Sequence, residues 1–227
     1  MKKSTIIAAA FGAFIVLSIL VFYIDAKNHE GKETKWCELN RKEFKINDFK
    51  VLVAEKGAEV HFIPSDTAKL TAEIEKDSVL PDKLYTQSND TLYIYKGARL
   101  YAHGKSLKSI ISHHAKWIGI HPYSTDTLKL NLQGSEVYIN FNDNNHKSEY
   151  NYIEISADNK AQIWFRGNLT VKKTSLKVKN TTVGLYDGNF GEIDAKLENR
   201  SELKIGQILN SITTLRVDKD STSQVGY

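Results

Sequence analysis

All three prolines of the chain (Pro64, Pro81, Pro122) precede residue 123, which leaves 105 proline-free residues that repeat one short pattern. Each unit is an apolar-polar-apolar triplet, a small polar turn and a second short strand. The units are Leu128-Lys129-Leu130 with Gly134-Ser135, Ile153-Glu154-Ile155 with Asp158-Asn159, and Leu176-Lys177-Val178 with Asn180-Thr181. Ala195-Lys196-Leu197 with Asn199-Arg200 and Leu215-Arg216-Val217 with Asp218-Lys219 follow, and a degenerate copy, Ser109-Ile110-Ile111 with His113-His114, comes before them. The second strands are Val137-Tyr138-Ile139, Ile163-Trp164-Phe165, Val183-Gly184-Leu185, Leu203-Lys204-Ile205 and Val225-Gly226-Tyr227.

First-strand positions 128, 153, 176, 195 and 215 are 25, 23, 19 and 20 residues apart. A period near 20 with two strands per unit is half a propeller blade of about 40 residues, and it suits one coil of a solenoid. Alternation puts Leu128, Leu130, Ile153, Ile155, Leu176 and Val178 inside and Lys129, Glu154 and Lys177 outside. Stacked coils need every backbone N–H for the ladder, which accounts for the missing proline. An antiparallel sandwich would share the alternation and is the competing architecture.

Residues 44–106 read differently. Phe49–Val53, Ala58–Ile63, Lys69–Ile74 and Thr91–Tyr95 are longer strands, the last entered from the turn Ser88-Asn89-Asp90. The expected fold is therefore all-β over 44–227. A right-handed parallel β-helix-like solenoid (107–227) is capped by an N-terminal β-meander (44–106) that covers its otherwise open edge.

One transmembrane helix is expected to precede this domain. Ser4 to Ile24 carry no charge, and 21 helical residues span roughly 31 Å, one bilayer core. A cleaved signal peptide is the other reading of Met1-Lys2-Lys3 and the apolar run. The run is longer than an h-region, and Ile24-Asp25-Ala26 is a poor cleavage site, so an uncleaved signal anchor is favoured. Lys2 and Lys3 argue for an inside N-terminus against Lys27, Lys32 and Lys35 beyond the helix. The expected organisation is a tail and anchor over 1–24, a stalk over 25–43 and the head domain over 44–227, on the extracytoplasmic side.

The net charge of +4 comes from 31 basic and 27 acidic residues spread along the chain, without a basic block, so nucleic acid is not an expected partner. One cysteine excludes a disulfide framework, so the domain rests on its core.

The order Phe49-Lys50-Val51, Ala58-Glu59-Val60-His61-Phe62, Leu70-Thr71-Ala72-Glu73, Val79-Leu80-Pro81, Asn89-Asp90-Thr91-Leu92-Tyr93-Ile94 and Ser106-Leu107-Lys108-Ser109-Ile110, then strand–Gly/Asn–strand units, resembles the auto-transporter adhesin, head GIN domain family of bacterial envelope proteins. It departs from that pattern at His113-His114-Ala115 and Asp158-Asn159-Lys160, where the family often has small Ser-Gly-Ala turns. The resemblance implies a β-helical envelope domain of the bacterial cell membrane. It carries no catalytic residue and no cofactor.

His103, His113, His114 and His121 form the densest histidine cluster. Adjacent strand residues point to opposite faces, so solvated turn histidines are expected rather than a tetrahedral metal site. Glu136, Glu154, Asp158, Glu192 and Asp194 would have to converge to form a glycosidase pair. The more informative residues are aromatic. Trp117, Tyr138, Trp164 and Tyr186 take similar outward positions on consecutive coils, with Lys129, Lys177, Lys196 and Arg216 as a basic line beside them. Such a face either shields the sheet or stacks on sugar rings, with Lys177 and Lys196 meeting acidic substituents. The expected function is a non-catalytic binding, adhesion or scaffolding module whose partner is a glycan or envelope protein, with a polysaccharide-active β-helix enzyme as the alternative.

Overall fold

The alternation read from the sequence becomes two stacked ladders in the structure, a computed structural model that describes residues 14–23, 27, 39–75, 79–141, 146–206 and 211–226. The chain divides into two units, residues 1–39 and 40–227. In the first, residues 14–23 are helical, with Phe14, Val16, Leu17, Leu20 and Phe22 exposed. Among the described residues no helix is long and apolar enough to cross a membrane. The rest of the span expected over 4–24, and most of the stalk expected over 25–43, lie outside the described residues.

The strands begin with β1 (Leu39–Lys45), all but its first residue in the second unit, then β2 (Val51–Ala54), β3 (Glu59–Pro64), β4 (Lys69–Glu75), β5 (Tyr85–Ser88), β6 (Thr91–Ile94) and β7 (Arg99–Gly104). They continue with β8 (Ser109–His113), β9 (Trp117–Ile120), β10 (Thr125–Gln133), β11 (Glu136–Ile139), β12 (Ser148–Asp158) and β13 (Gln162–Phe165). The last strands are β14 (Leu169–Lys179), β15 (Thr182–Leu185), β16 (Asn189–Glu198), β17 (Glu202–Ile205), β18 (Thr214–Lys219) and β19 (Gln224–Gly226). Strand thus begins at Leu39, inside the expected stalk.

From β8 onward the odd strands form sheet I, in the order β9-β11-β13-β15-β17-β19. The even strands form sheet II, and every one of these neighbours is parallel. This is a β-solenoid. Leu128, Leu130, Val137, Ile139, Ile153, Ile155, Ile163 and Phe165 are at most 2% exposed, and each such burial is worth about 1.5–3 kcal/mol.

The corner between the two strands of a coil explains the recurring asparagines. Gly134, Asn159, Asn180 and Asn199 all have φ between 48° and 56°, a left-handed region that glycine and asparagine enter most cheaply. The turn backbones then bond upward: Gly134 N–H donates to Asp158 O (3.1 Å), Lys160 N–H to Asn180 O (2.7 Å) and Asn180 N–H to Glu198 O (3.0 Å). Buried hydroxyls finish the corner. Ser201 Oγ donates to Glu198 O (2.6 Å) and accepts from Thr181 N–H (3.3 Å).

The register corrects the sequence alignment of two units. Leu128 faces Ile153, which faces Thr174, then Ile193, then Leu215. Leu176 lies instead in the row Leu130, Ile155, Leu176, Ala195, Val217. The polar Thr174 at an inward position hides the start of the apolar pattern in β14, so sequence reading begins that unit two residues late. The basic line dissolves with it. One outer row is Lys129, Glu154, Ser175, Asp194, Arg216; the next is Asn131, Ser156, Lys177, Lys196, Asp218.

The expected meander over 44–106 is also corrected. β2 and β3 run parallel to β8 and β9, and β6 and β7 form a further parallel coil outside them. β4 and β5 run antiparallel, on β7 and β6. Alternation alone does not distinguish parallel from antiparallel pairing. The corner does: Gly57, at φ 77°, repeats the left-handed turn of the later coils.

Candidate binding face

Sheet I carries a row of outward residues that runs Tyr101, His61, Gly119, Tyr138, Trp164, Gly184, Lys204. Trp117 and Tyr186 are displaced from this row by two residues, and glycine stands where each would be in register. The glycines make room. A Cβ on Gly119 would lie 2.5 Å from Cη2 of Trp117, and a Cβ on Gly184 would lie 2.5 Å from Cε3 of Trp164 and 2.8 Å from Cε2 of Tyr186. The rings therefore fold across the sheet and over the bare backbone.

Two aromatic groups result. In the first, His61 stacks on Tyr101 (centroids 4.7 Å, 21°) and packs against Trp117 (4.3 Å), and Phe141 meets Trp117 edge-on at 4.7 Å. Tyr138 joins through Trp117 and Phe141, both at 5.7 Å. The second group is the stacked pair Trp164–Tyr186 (5.7 Å, 17°). Arg166 lies over the Tyr138 ring at 5.3 Å. The four rings named from sequence share one face, as two platforms instead of an even ladder.

His61, Tyr101, Trp117 and Phe141 of the first group line an open groove of about 410 Å³, together with Glu59, Arg99, Lys116 and Glu136. Glu59 is bonded by Arg99 (2.6 Å) and Lys116 (3.0 Å). Burial pushes its carboxyl up, but these two cations outweigh burial and hold it below the usual range. Beside the groove Glu73 is set the same way, burial being overcome by the Tyr101 hydroxyl (2.8 Å) and Arg41 (2.6 Å). Burial, helped by His121 and Arg99, lowers His61 to about 4, so its ring is neutral at ordinary pH. Burial, then Lys69, lowers His103 as well. Tyr138 O–H donates to Glu136 (2.7 Å).

Lys177 and Lys196 do not stand beside the aromatics. They are register partners on β14 and β16, on the outer face of sheet II, along a separate groove of about 310 Å³. The expected pairing of basic line and aromatic strip fails because long and short strands of a coil belong to different sheets. The histidine cluster divides likewise. His113 sits beside Glu55 (3.3 Å) at the end of β8 and His114 is a left-handed corner residue (φ 59°), whereas His121 contacts His61 (3.4 Å) on sheet I. Among the described residues no group of three or more His, Cys, Asp or Glu could hold a metal ion. Of the five carboxylates named from sequence, Glu136 is on sheet I, while Glu154, Asp158, Glu192 and Asp194 are on strands of sheet II.

His61, Tyr101, Phe141, Glu59 and Arg99 escaped the sequence reading. The outward parity of Glu59-Val60-His61-Phe62 and Arg99-Leu100-Tyr101-Ala102 carries the signal. It marks a site only once β3 and β7 are known to run parallel beside β9.

No family model matches this chain, and no curated protein matches it. Solved structures do. A candidate adhesin from Bacteroides fragilis NCTC 9343 aligns with a TM-score of 0.59 at 15% identity, over 83% of this chain and 96% of that one. A candidate adhesin from Parabacteroides merdae ATCC 43184 gives 0.61 at 14% identity over 83% and 95%. A protein from Parabacteroides distasonis ATCC 8503, described as a candidate lipid-binding protein, gives 0.54 at 12% identity over 83% and 96%. At these identities the likeness is one of fold.

Proposed function

We propose that the protein is a non-catalytic binding or adhesion module of the bacterial cell envelope that holds a glycan on the outer face of sheet I. The observation that carries this reading is the groove of His61, Tyr101, Trp117 and Phe141, an aromatic floor with a rim of charged side chains. Flat rings meet the C–H faces of sugars, and the rim offers hydrogen bonds to hydroxyls. The candidate adhesins of the same fold support it. A right-handed coil is the sense expected of parallel crossovers.

The enzyme alternative is disfavoured at this groove. Glycoside cleavage needs one carboxyl raised to act as acid, and Arg99 and Lys116 hold Glu59 in the opposite direction. Lys177 and Lys196 have no part in the site. The anchor belongs to the same proposal: the exposed apolar side chains of residues 14–23 suit lipid, with the N-terminus inside and the head outside.

A glycan array probed with the detergent-solubilised full chain tests the binding role. Retention that Trp117→Ser together with Tyr138→Ser abolishes is expected, with unfolding little changed; no retention on any glycan refutes it. Protease added to spheroplasts should remove the head domain, and full protection would refute the orientation.

A further inference from the structure

The two platforms lie on one face at a fixed separation. Gly119 and Gly184, over which Trp117 and the Trp164–Tyr186 pair fold, are three strand steps apart along one row, about 14 Å. Tyr138 and Trp164 hold the two row positions between them. A ligand that uses both platforms must therefore run across the strands, along the solenoid axis.

Apart from Arg166, which lies over the Tyr138 ring, the cations of the face are matched. Arg99 and Lys116 bind Glu59, Arg41 binds Glu73, and Lys204 binds Glu202 at 3.1 Å. An anionic ligand would have to compete with these carboxylates for its cations. An extended peptide is poorly served as well. β9, β11, β13 and β15 each have a strand on both sides, so their backbone groups are committed to the ladder and no strand can be added there. A sugar chain needs no such edge, because it sets C–H faces on rings and leaves its hydroxyls to water and to the rim.

Resting on the binding role proposed above, we infer that the ligand is an uncharged, extended polysaccharide that stacks one sugar in the Trp117 groove and another on the Trp164–Tyr186 platform. Units of such a chain advance by about one strand spacing, so a chain of roughly four units is the shortest that reaches both platforms. Short oligomers occupy one platform only. Longer ones gain the second contact as an intramolecular event, which multiplies affinity without any new kind of contact.

Titration calorimetry of the full chain in detergent tests this with neutral β-1,4-linked glucose, mannose and N-acetylglucosamine oligomers of two to six units, and with oligogalacturonides of the same lengths. The expected result is a step of at least tenfold in affinity between three and five units in one neutral series. Trp164→Ser with Tyr186→Ser should remove the step. Trp164→Phe with Tyr186→Phe should restore the step, which separates stacking from loss of fold. Tighter binding of the oligogalacturonides, a neutral series without a length step, or a step that survives the double serine variant overturns this inference and leaves glycan binding standing. No binding of any of these oligomers, or displacement of them by an unfolded peptide, overturns the inference, and an empty glycan array beside it removes the binding role too.

Discussion

Trp164 lies across Gly184, its register partner on the neighbouring strand, so closely that a Cβ at Gly184 would stand 2.5 Å from the indole Cε3. A glycine inside a strand normally weakens it, having no side chain to pack and more entropy to lose. Here the ring covers the bare backbone and stacks on Tyr186. Gly184→Ala should push the indole off the sheet, costing about 1–3 kcal/mol as overpacking does. A lower thermal midpoint with red-shifted tryptophan emission is the expected outcome; an unchanged midpoint would show that the ring is not seated there.

Much of the solenoid was legible because burial on one face of each strand imposes period-2 alternation. The second strands from Val137 to Ile205 and the Gly/Asn corners all fall where that pattern puts them. Relative placement was less legible. Thr174, polar yet inward, shifted the reading of β14 by two residues. It carried Lys177 into a line with Lys129 that the register does not contain. The groove was least legible, since His61 and Trp117 are far apart in sequence and meet only through the parallel pairing of β3 with β9.

The same threonine gives a stability test. Thr174 is fully buried between Ile153 and Ile193, and its Oγ1 has no hydrogen-bond partner. Valine has nearly the same shape and removes a desolvated hydroxyl. Thr174→Val should raise stability by about 1–2 kcal/mol, read as a higher urea midpoint at unchanged slope. A lower midpoint would mean that the hydroxyl is satisfied.

At the corners, Asn180 has φ 48°, and its N–H donates to Glu198 O. Alanine keeps that bond and meets the left-handed strain that asparagine tolerates better. Asn180→Ala should cost about 1 kcal/mol, whereas Asn180→Gly should be nearly neutral, since glycine enters this region freely. Equal losses from both variants would show that the side chain, and not the backbone, matters at this corner.

The neutral His61 makes stability depend on pH in a window of its own. Its pKa is lowered from 6.5 to about 4, first by burial and then by His121 and Arg99, against Glu59 and Glu73. Between these values the unfolded chain takes up the proton and the folded chain does not. Stability should therefore fall as the pH drops from about 6.5 to about 4, by up to about 3 kcal/mol, and this contribution should level off below 4. Burial lowers His103 too, so it adds to the same fall. Glu59 and Glu73 act in a second window. Their carboxyls are lowered from 4.5 in the folded chain, so their stabilisation is complete above 4.5 and is lost as the pH falls below it. His61→Gln keeps a polar group of similar reach without a titrating proton. Urea unfolding of both proteins from pH 7 to pH 3 should show the upper slope reduced in the variant and the lower slope retained. An upper slope of the same size in both would place the titration elsewhere and refute a buried, neutral His61.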